Sequence, residues 1–454
     1  MQRPNILLLT LDTLRADWVG CYGHRSGITP HLDQLAASGI RFEQAITGGS
    51  WTQAAFPVLL TSTYASMYGG CLGPLALERP SPIETLSTHG YETAGFSTSP
   101  LLTRTYGYHR GFNHFHELVP GESDPVLRRL KGGERLLRHS VTHKISAMLG
   151  RQMRPARLYV SAADLTNCAC TWLANVKAPF FAWLHYMDIH WPYHLEEELS
   201  TPEEISEAWR DLSYLHRVNR KGAKLIPAQR QRLLALYKQA VQYTDNQIGF
   251  LLAQLQNLGI ADNTVVIVVA DHGEEFMERR HWGHFEINLY DEIVKVPLII
   301  YVPGKVKGQV VQRQVRTLDI MPTVLELCGV AAPAGLEGSS LVPLWTQQEI
   351  AYEVEEAISE CWRDDHHIVA LRTEAFKYIW NSHQQEHPEL FDLRSDPGER
   401  HNIWRQHRKE AEQFQSRVDE HLQYVAQTSP SVKPTEPELD AELRLRLRDL
   451  GYVE

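Results

Sequence analysis

Two stretches of the chain gather groups that hold metal ions. Asp12 closes the apolar run Asn5-Ile6-Leu7-Leu8-Leu9-Thr10-Leu11, and Asp271-His272-Gly273-Glu274 follows a β-branched run over residues 264–270. A lone aspartate after a strand is most often a cap, but a carboxylate and an imidazole in succession after so apolar a run are more specific. Parallel strands deliver their carboxyl ends to one edge of a sheet. Two carboxylates and an imidazole gathered there suit a divalent cation. Asp12, Asp271 and His272 are therefore the candidate metal ligands. The six cysteines, Cys21, Cys71, Cys168, Cys170, Cys328 and Cys361, show no paired metal spacing. Cys168 and Cys170 fall in a helix-like run, residues 162–176, where side chains two apart diverge by about 200°, so no chemistry is assigned to them.

The elements that must position these ligands alternate along the chain. Residues 5–12 read as a buried strand, and residues 29–39 as a helix with a cap residue, a proline at its first position and a closing glycine. A helix end follows at residues 86–90, then strands at 91–96 and 179–186, a long helix at about 230–258, and strands at 263–270 and 296–302. This order predicts an α/β fold with a large, mostly parallel central sheet and helices on both faces. Beyond about residue 345, short strands at 369–372, 376–380 and 389–393, then a helix from about 401 to 425, predict a smaller C-terminal α+β subdomain. The chain would thus divide into residues 1–345 and 346–454. A proline-bearing linker, residues 429–437, leads to a last helix at 439–450. Its Leu439, Leu443, Leu447 and Leu450 share one face, to be docked on the same chain or on a neighbour, so oligomerisation stays open.

Two polar stretches interrupt this rhythm. Residues 126–157 hold nine Lys or Arg against one acid, Glu134, and read as a solvated insertion, with a rim that attracts an anionic substrate or packs on a partner as the sharper alternative. Residues 195–224 form a similar polar insertion. Across all 454 residues the chain is 43% hydrophobic and 22% charged with a net charge of -10. That composition excludes general disorder and argues against a nucleic-acid partner. No run approaches the roughly 18 apolar residues of a transmembrane helix, and the first apolar run is too short for a signal peptide, so a cytoplasmic location is expected.

The sequence resembles the sulfatase branch of the alkaline phosphatase superfamily. The resemblance rests on Asp12-Thr13-Leu14-Arg15-Ala16-Asp17, Gly20-Cys21-Tyr22-Gly23, Thr29-Pro30-His31-Leu32-Asp33, Leu59-Leu60-Thr61-Ser62 and Asp271-His272-Gly273-Glu274. It continues through Leu289-Tyr290-Asp291-Glu292, Asp319-Ile320-Met321-Pro322-Thr323, Leu390-Phe391-Asp392-Leu393 and Asp396-Pro397-Gly398-Glu399. In that family a Cys or Ser, within Cys/Ser-x-Pro-Ser-Arg, is oxidised to formylglycine and acts as nucleophile. Counting back nine residues from Thr61 lands on Thr52, and Pro-Ser-Arg is replaced by Ala54-Ala55-Phe56. Threonine cannot become formylglycine, so that cofactor is not expected. Threonine nucleophiles resemble those of phosphodiesterases and related superfamily branches.

The resemblance implies a hydrolase of phosphate esters, phosphodiester or phosphomonoester, acting on a small anionic ester. Asp12, Thr52, Asp271 and His272 would bind a divalent ion, and Thr52 would attack phosphorus and pass through a phosphothreonine. His190 matches the family's substrate-contacting histidine, which assists the leaving group. His284 stands where the family commonly carries a lysine. It is expected as a protonated substrate clamp, with a place beside Asp188 or His190 around a second metal as the alternative. The family's first-strand carboxylate pair is Asp12-Thr13 here, one negative charge fewer, which favours manganese or zinc over calcium. His185, His281, Glu274 and Glu275 are expected as supporting or surface groups. The alternatives are sulfate-ester hydrolysis on the same fold and a catalytically silent anion-binding protein. Loops over the sheet edge, near residues 107–144 and 195–224, would choose the organic part of the substrate.

Overall fold

The computed structural model describes residues 3–119, 144, 159–177, 179–193, 201–221, 224–284, 288–305, 308–346, 352–363, 365–428, 437 and 439–449. Its strands are β1 (Asn5–Leu11), β2 (Ile40–Ile46), β3 (Glu92–Ser97), β4 (His114–Glu117), β5 (Phe180–Tyr186), β6 (Thr264–Ala270), β7 (Glu275–Phe276), β8 (Trp282–Gly283), β9 (Lys295–Tyr301), β10 (Gln309–Arg316), β11 (Ala357–Arg363), β12 (His366–Arg372), β13 (Phe376–Asn381) and β14 (Glu389–Asp392). The helices are α1 (Pro30–Ser38), α2 (Thr52–Thr61), α3 (Pro82–Thr88), α4 (Ala162–Leu173), α5 (Pro202–Lys221), α6 (Pro227–Asn257), α7 (Ile320–Leu327), α8 (Arg408–Thr428) and α9 (Ala441–Asp449), with one helical turn at Asp291–Val294.

Eight strands form the main sheet in the order β10-β2-β9-β6-β1-β5-β3-β4. Every pair is parallel except those of β9, which runs against both β2 and β6. All seven residues of β1, of β5 and of β6 are buried. A strand can bury both of its alternating faces only if each face of the sheet is covered. Two helix groups supply the cover: α6 packs with α1 and α4, and α7 packs with α2 and α3. The expected α/β architecture is the one found.

Sequence patterning picks out the strands that are apolar throughout. It misses β2, β10 and β11, in which polar residues such as Arg41, Gln312 and Glu360 sit among the apolar ones. One correction concerns residues 195–224: the polar insertion contains the 20-residue helix α5, whose Ala208 and Ile205 are buried. The basic stretch 126–157 lies outside the described residues except Lys144, which pairs with Glu203. The linker 429–437 lies outside them except residue 437.

A second, antiparallel sheet, β11-β12-β13-β14, is backed by α8 and forms the small C-terminal subdomain. Leu443 and Leu447 of α9 are buried in the main core, with Leu439 packed against it, so that apolar face is covered by its own chain. Among the described residues, no helix is long and apolar enough to cross a membrane.

Candidate functional site

The register of the central strands brings the chemistry together. Leu11 of β1 lies beside Tyr186 of β5 and Ala270 of β6, so Asp12 and Asp271 leave the same sheet edge side by side, with the segment carrying Asp188 and His190 on the other flank. Asp12 N donates to Tyr186 O at 2.9 Å, which holds this end of the ladder closed. One ligand atom from each of Asp12, Asp271 and His272 falls within 4.8 Å of the others, and all three residues are fully buried.

Backbone contacts aim these groups. Asp271 Oδ1 accepts from the amides of Thr13 and His272 at 3.2 and 2.8 Å, leaving Oδ2 without a hydrogen bond. His272 Nδ1 lies 2.9 Å from Gly273 O. A carbonyl only accepts, so Nδ1 carries the proton and the unpartnered Nε2 presents a lone pair. Neither carboxylate oxygen of Asp12 has a hydrogen bond; its Oδ2 has only the ion-pair contact to His185 Nε2 at 3.3 Å. Thr13 adopts φ 58, a costly conformation for a β-branched residue. It is held there by Thr13 Oγ1 donating to Ile189 O at 3.0 Å and by Tyr237 Oη donating to Thr13 O at 2.8 Å. Gly273 lies so close to Glu292 O that no side chain would fit.

Two buried carboxylates this near each other do not both ionise unaided. Burial alone would raise the Asp12 carboxyl, but His190, the His185 contact and His272 outweigh it and hold Asp12 below the usual carboxylate range. Burial and then the Asp12 charge push Asp271 well above it. An unsatisfied buried polar atom costs about 1–3 kcal/mol, and a charged one more. A donor set of two carboxylates and an imidazole lone pair, all buried, in which both Asp12 oxygens, Asp271 Oδ2 and His272 Nε2 lack hydrogen bonds, fits a divalent cation.

Thr52 begins α2. The hydroxyl is buried and makes no hydrogen bond. The first α2 amides to be bonded are those of Ala54 and Ala55, to Trp51 O at 3.0 and 2.9 Å, so the amides of Thr52 and Gln53 are available at a ten-residue helix's N-terminus, where anions bind. The helix runs on through Pro57. One turn beyond Thr52 on the same face, the Phe56 ring lies 4.9 Å from that of His185, the residue touching Asp12. That chain of contacts brings the Phe56 turn of α2 against His185, which in turn touches Asp12.

The two remaining histidines pack beside the same cluster. The His284 ring lies 4.5 Å from His272 and 5.1 Å from His190, centre to centre. His190 Nδ1 is 2.6 Å from Trp191 O and is therefore protonated there. Burial lowers His190 to about 4. Burial first, and then the neighbouring His272, hold His284 well below the usual imidazole range. The ring expected as a substrate clamp thus sits between His272 and His190, where burial works against its charged form.

Comparison with known proteins places this arrangement. The family profile described as Sulfatase matches residues 4–330, and one described as N-sulphoglucosamine sulphohydrolase, C-terminal, matches residues 281–428.

The chain belongs to the sulfatase family.

Among its relatives, an arylsulfatase of Clostridium perfringens is 25% identical, with 92% of each chain covered. The "multifunctional alkaline phosphatase superfamily protein PehA" of Trinickia caryophylli is 23% identical over 89% of this chain and 91% of that one. A phosphonate monoester hydrolase of Agrobacterium radiobacter superposes with a TM-score of 0.72 at 22% identity, covering 94% of this chain and 96% of the other. This sulfatase-family chain is therefore a hydrolase of the alkaline phosphatase superfamily. Sulfatase-family enzymes bind a divalent metal, and Asp12, Asp271 and His272 form a buried group whose ligand atoms lie close enough together to hold one.

Sequence reasoning leaves two buried groups of this sulfatase-family site at the margin. Glu274 is fully buried, lies 3.3 Å from His284 Nδ1, and is raised by burial to about 8. His185 is fully buried, and its Nδ1 lies 2.9 Å from Thr10 Oγ1. The signal for His185 is its place in an otherwise apolar strand. Glu275, by contrast, accepts from the amides of Arg279 and His281 and shapes their turn.

Proposed function

We propose that this chain is a metal-dependent hydrolase of phosphate esters that uses the Thr52 hydroxyl as its nucleophile. The observation that carries the proposal is a threonine at the family's nucleophile position, at the head of α2, with a buried and unpartnered hydroxyl. A formylglycine hydrate releases sulfate by collapsing back to the aldehyde. Threonine has no such route, and a sulfated threonine would have to be attacked again at sulfur. A phosphothreonine is resolved by water at phosphorus.

Asp12, Asp271, His272 and Thr52 Oγ1 would hold the cation. A divalent ion bound there would lower the pKa of the hydroxyl and offset negative charge on the phosphoryl oxygens. The nitrogen donor of His272, and Thr13 in place of a second first-strand carboxylate, favour manganese or zinc over calcium.

Thr52 Oγ1 attacks phosphorus in line, and the bond to the leaving oxygen breaks as the new P–O bond forms. The Thr52 and Gln53 amides donate to the phosphoryl oxygens. His190 is neutral with Nδ1 protonated, so its Nε2 accepts a proton and returns it to the departing oxygen. His284 contacts the anion as a neutral ring that gains a proton only with substrate bound. Water then releases phosphate from Thr52. Phosphonate monoester hydrolases among the structural neighbours support chemistry at phosphorus on this fold.

Sulfate-ester hydrolysis is the rival reading, favoured by the arylsulfatase relative. Purified protein loaded with manganese or zinc, assayed against matched aryl phosphate, phosphodiester and sulfate esters, separates the two. The proposal expects higher kcat/KM for a phosphate ester or diester and dependence on Thr52. A sulfate preference with Thr52 dispensable would overturn it.

A further inference from the structure

The first strand of the C-terminal subdomain runs beside the loop that carries the nucleophile. Ser359 Oγ donates to Thr47 O at 2.6 Å, and Glu360 N donates to Gly48 O at 2.9 Å. Gly49 and Glu360 then pair as an isolated parallel bridge. Beyond the bridge the contact continues through side chains: Cys361 is hydrogen-bonded to Ser50, and Trp51 and Trp362 pack into one apolar cluster with Ala54 and Val58. The helix α2 then begins at Thr52, and β11 ends at Arg363.

Arg363 ends β11 opposite His366, at the tip of the β11-β12 hairpin. The residue is exposed and pairs with no carboxylate among the described residues. Its charge nevertheless acts on the buried His284 ring. Other arginines around the site are engaged: Arg15 with Asp17 and Glu278, Arg279 with Glu292, and Arg372 with Asp291. In the family's nucleophile motif, the arginine position is occupied here by Phe56, whose ring meets His185. An exposed guanidinium at the rim meets the portion of a substrate that stays outside. Its planar fork recognises an oxyanion through paired N–H donors.

We propose that Arg363 is a specificity residue, supplied by the subdomain, that binds a second oxyanion on the organic part of the ester, with Trp362 forming the adjacent wall. Trp362 is fixed for this role by stacking on His367, with ring centres 4.2 Å apart. The inference rests on the reading that ester cleavage occurs beside Thr52, but not on whether phosphorus or sulfur is attacked.

Calorimetric titration of the manganese-loaded full chain tests it, using 4-carboxyphenylphosphonate against its methyl ester and the two matching sulfonates. The carboxylate member should bind about tenfold more tightly than the ester. Arg363→Gln should abolish that preference, Arg363→Lys should keep part of it, and Arg363→Glu should invert it in favour of the ester. The same pattern seen only among the sulfonates would uphold Arg363 while overturning the phosphate reading. Equal affinity of the parent protein for both members, a preference that survives in Arg363→Gln, or no binding by any of the four would overturn the role.

Discussion

At the scale of single residues, the account turns on one methyl-bearing hydroxyl. Thr52→Ala removes the nucleophile while leaving the helix start intact, and should lower kcat by about three orders of magnitude or more. Thr52→Ser keeps the hydroxyl and should retain measurable turnover. Steady-state kinetics on the preferred aryl ester checks both variants, and equal rates for Ala and the parent would contradict the role. The metal-type ligands Asp12, Asp271 and His272 are legible in sequence because each follows an apolar strand, and the fold does gather them at one sheet edge. What surrounds them is not legible. The left-handed backbone of Thr13 and the contact of His185 with Asp12 arise from elements that meet only in three dimensions. Nor does sequence reveal how deeply His284 is buried, with burial working against its charged form.

At the scale of elements, the loop that leads into Thr52 depends on a strand more than 300 residues away in the chain. Gly48 and Gly49 let that loop lie against α2: a side chain on Gly49 would meet Ala54 at 2.5 Å. From the other side β11 holds the loop through Glu360. Its carboxylate is buried, accepts from Ser66 N and Ser66 Oγ at 3.1 and 2.8 Å, and lies 2.9 Å from His421 Nε2 of α8. Burial would raise this carboxyl, but the His421 contact and the Ser66 bond outweigh it and lower it. A carboxyl lowered by folding adds stability that is complete above its ordinary value and is lost as pH falls through the folded value. Glu360→Gln should therefore destabilise the protein at pH 7 by about 2 kcal/mol. The gap in melting temperature between parent and variant should hold down to the ordinary carboxylate range and narrow below it. Melting curves from pH 7 to pH 3 check this, and a gap that widens on acidification would contradict it. Sequence patterning finds β12 to β14 but not β11, since Ser359, Glu360 and Arg363 break its apolar alternation. Of these, Ser359 bonds the loop before Thr52 through its hydroxyl and Glu360 through its amide.

At the scale of the whole molecule, the two sheets are joined by a buried charge cluster. Lys377 is fully buried and pairs with Asp291 at 2.8 Å and with Glu399 at 2.7 Å, while Arg372 reaches Asp291 at 2.9 Å. Arg279 Nη1 donates to Glu399 O at 2.7 Å, tying the segment between β7 and β8 to the subdomain. Lys377→Met would leave Glu399 and part of Asp291 uncompensated, and should cost about 3–5 kcal/mol. Chemical denaturation read by tryptophan fluorescence measures the loss, and an unchanged midpoint would show that the cluster is not what couples the sheets. The mostly parallel sheet and the antiparallel subdomain are both legible from the order of apolar runs, because layer architecture follows from periodicity. Their docking is not, because Asp291, Lys377 and Glu399 lie far apart in the chain and look like ordinary surface residues in it.

The most direct test of the central claim is peptide mass spectrometry of the metal-loaded enzyme, acid-quenched during turnover of an aryl phosphate. The account predicts one phosphoryl group on Thr52, absent from Thr52→Ala and from enzyme quenched without substrate. Turnover with an unmodified Thr52, or an adduct confined to another residue, would contradict it.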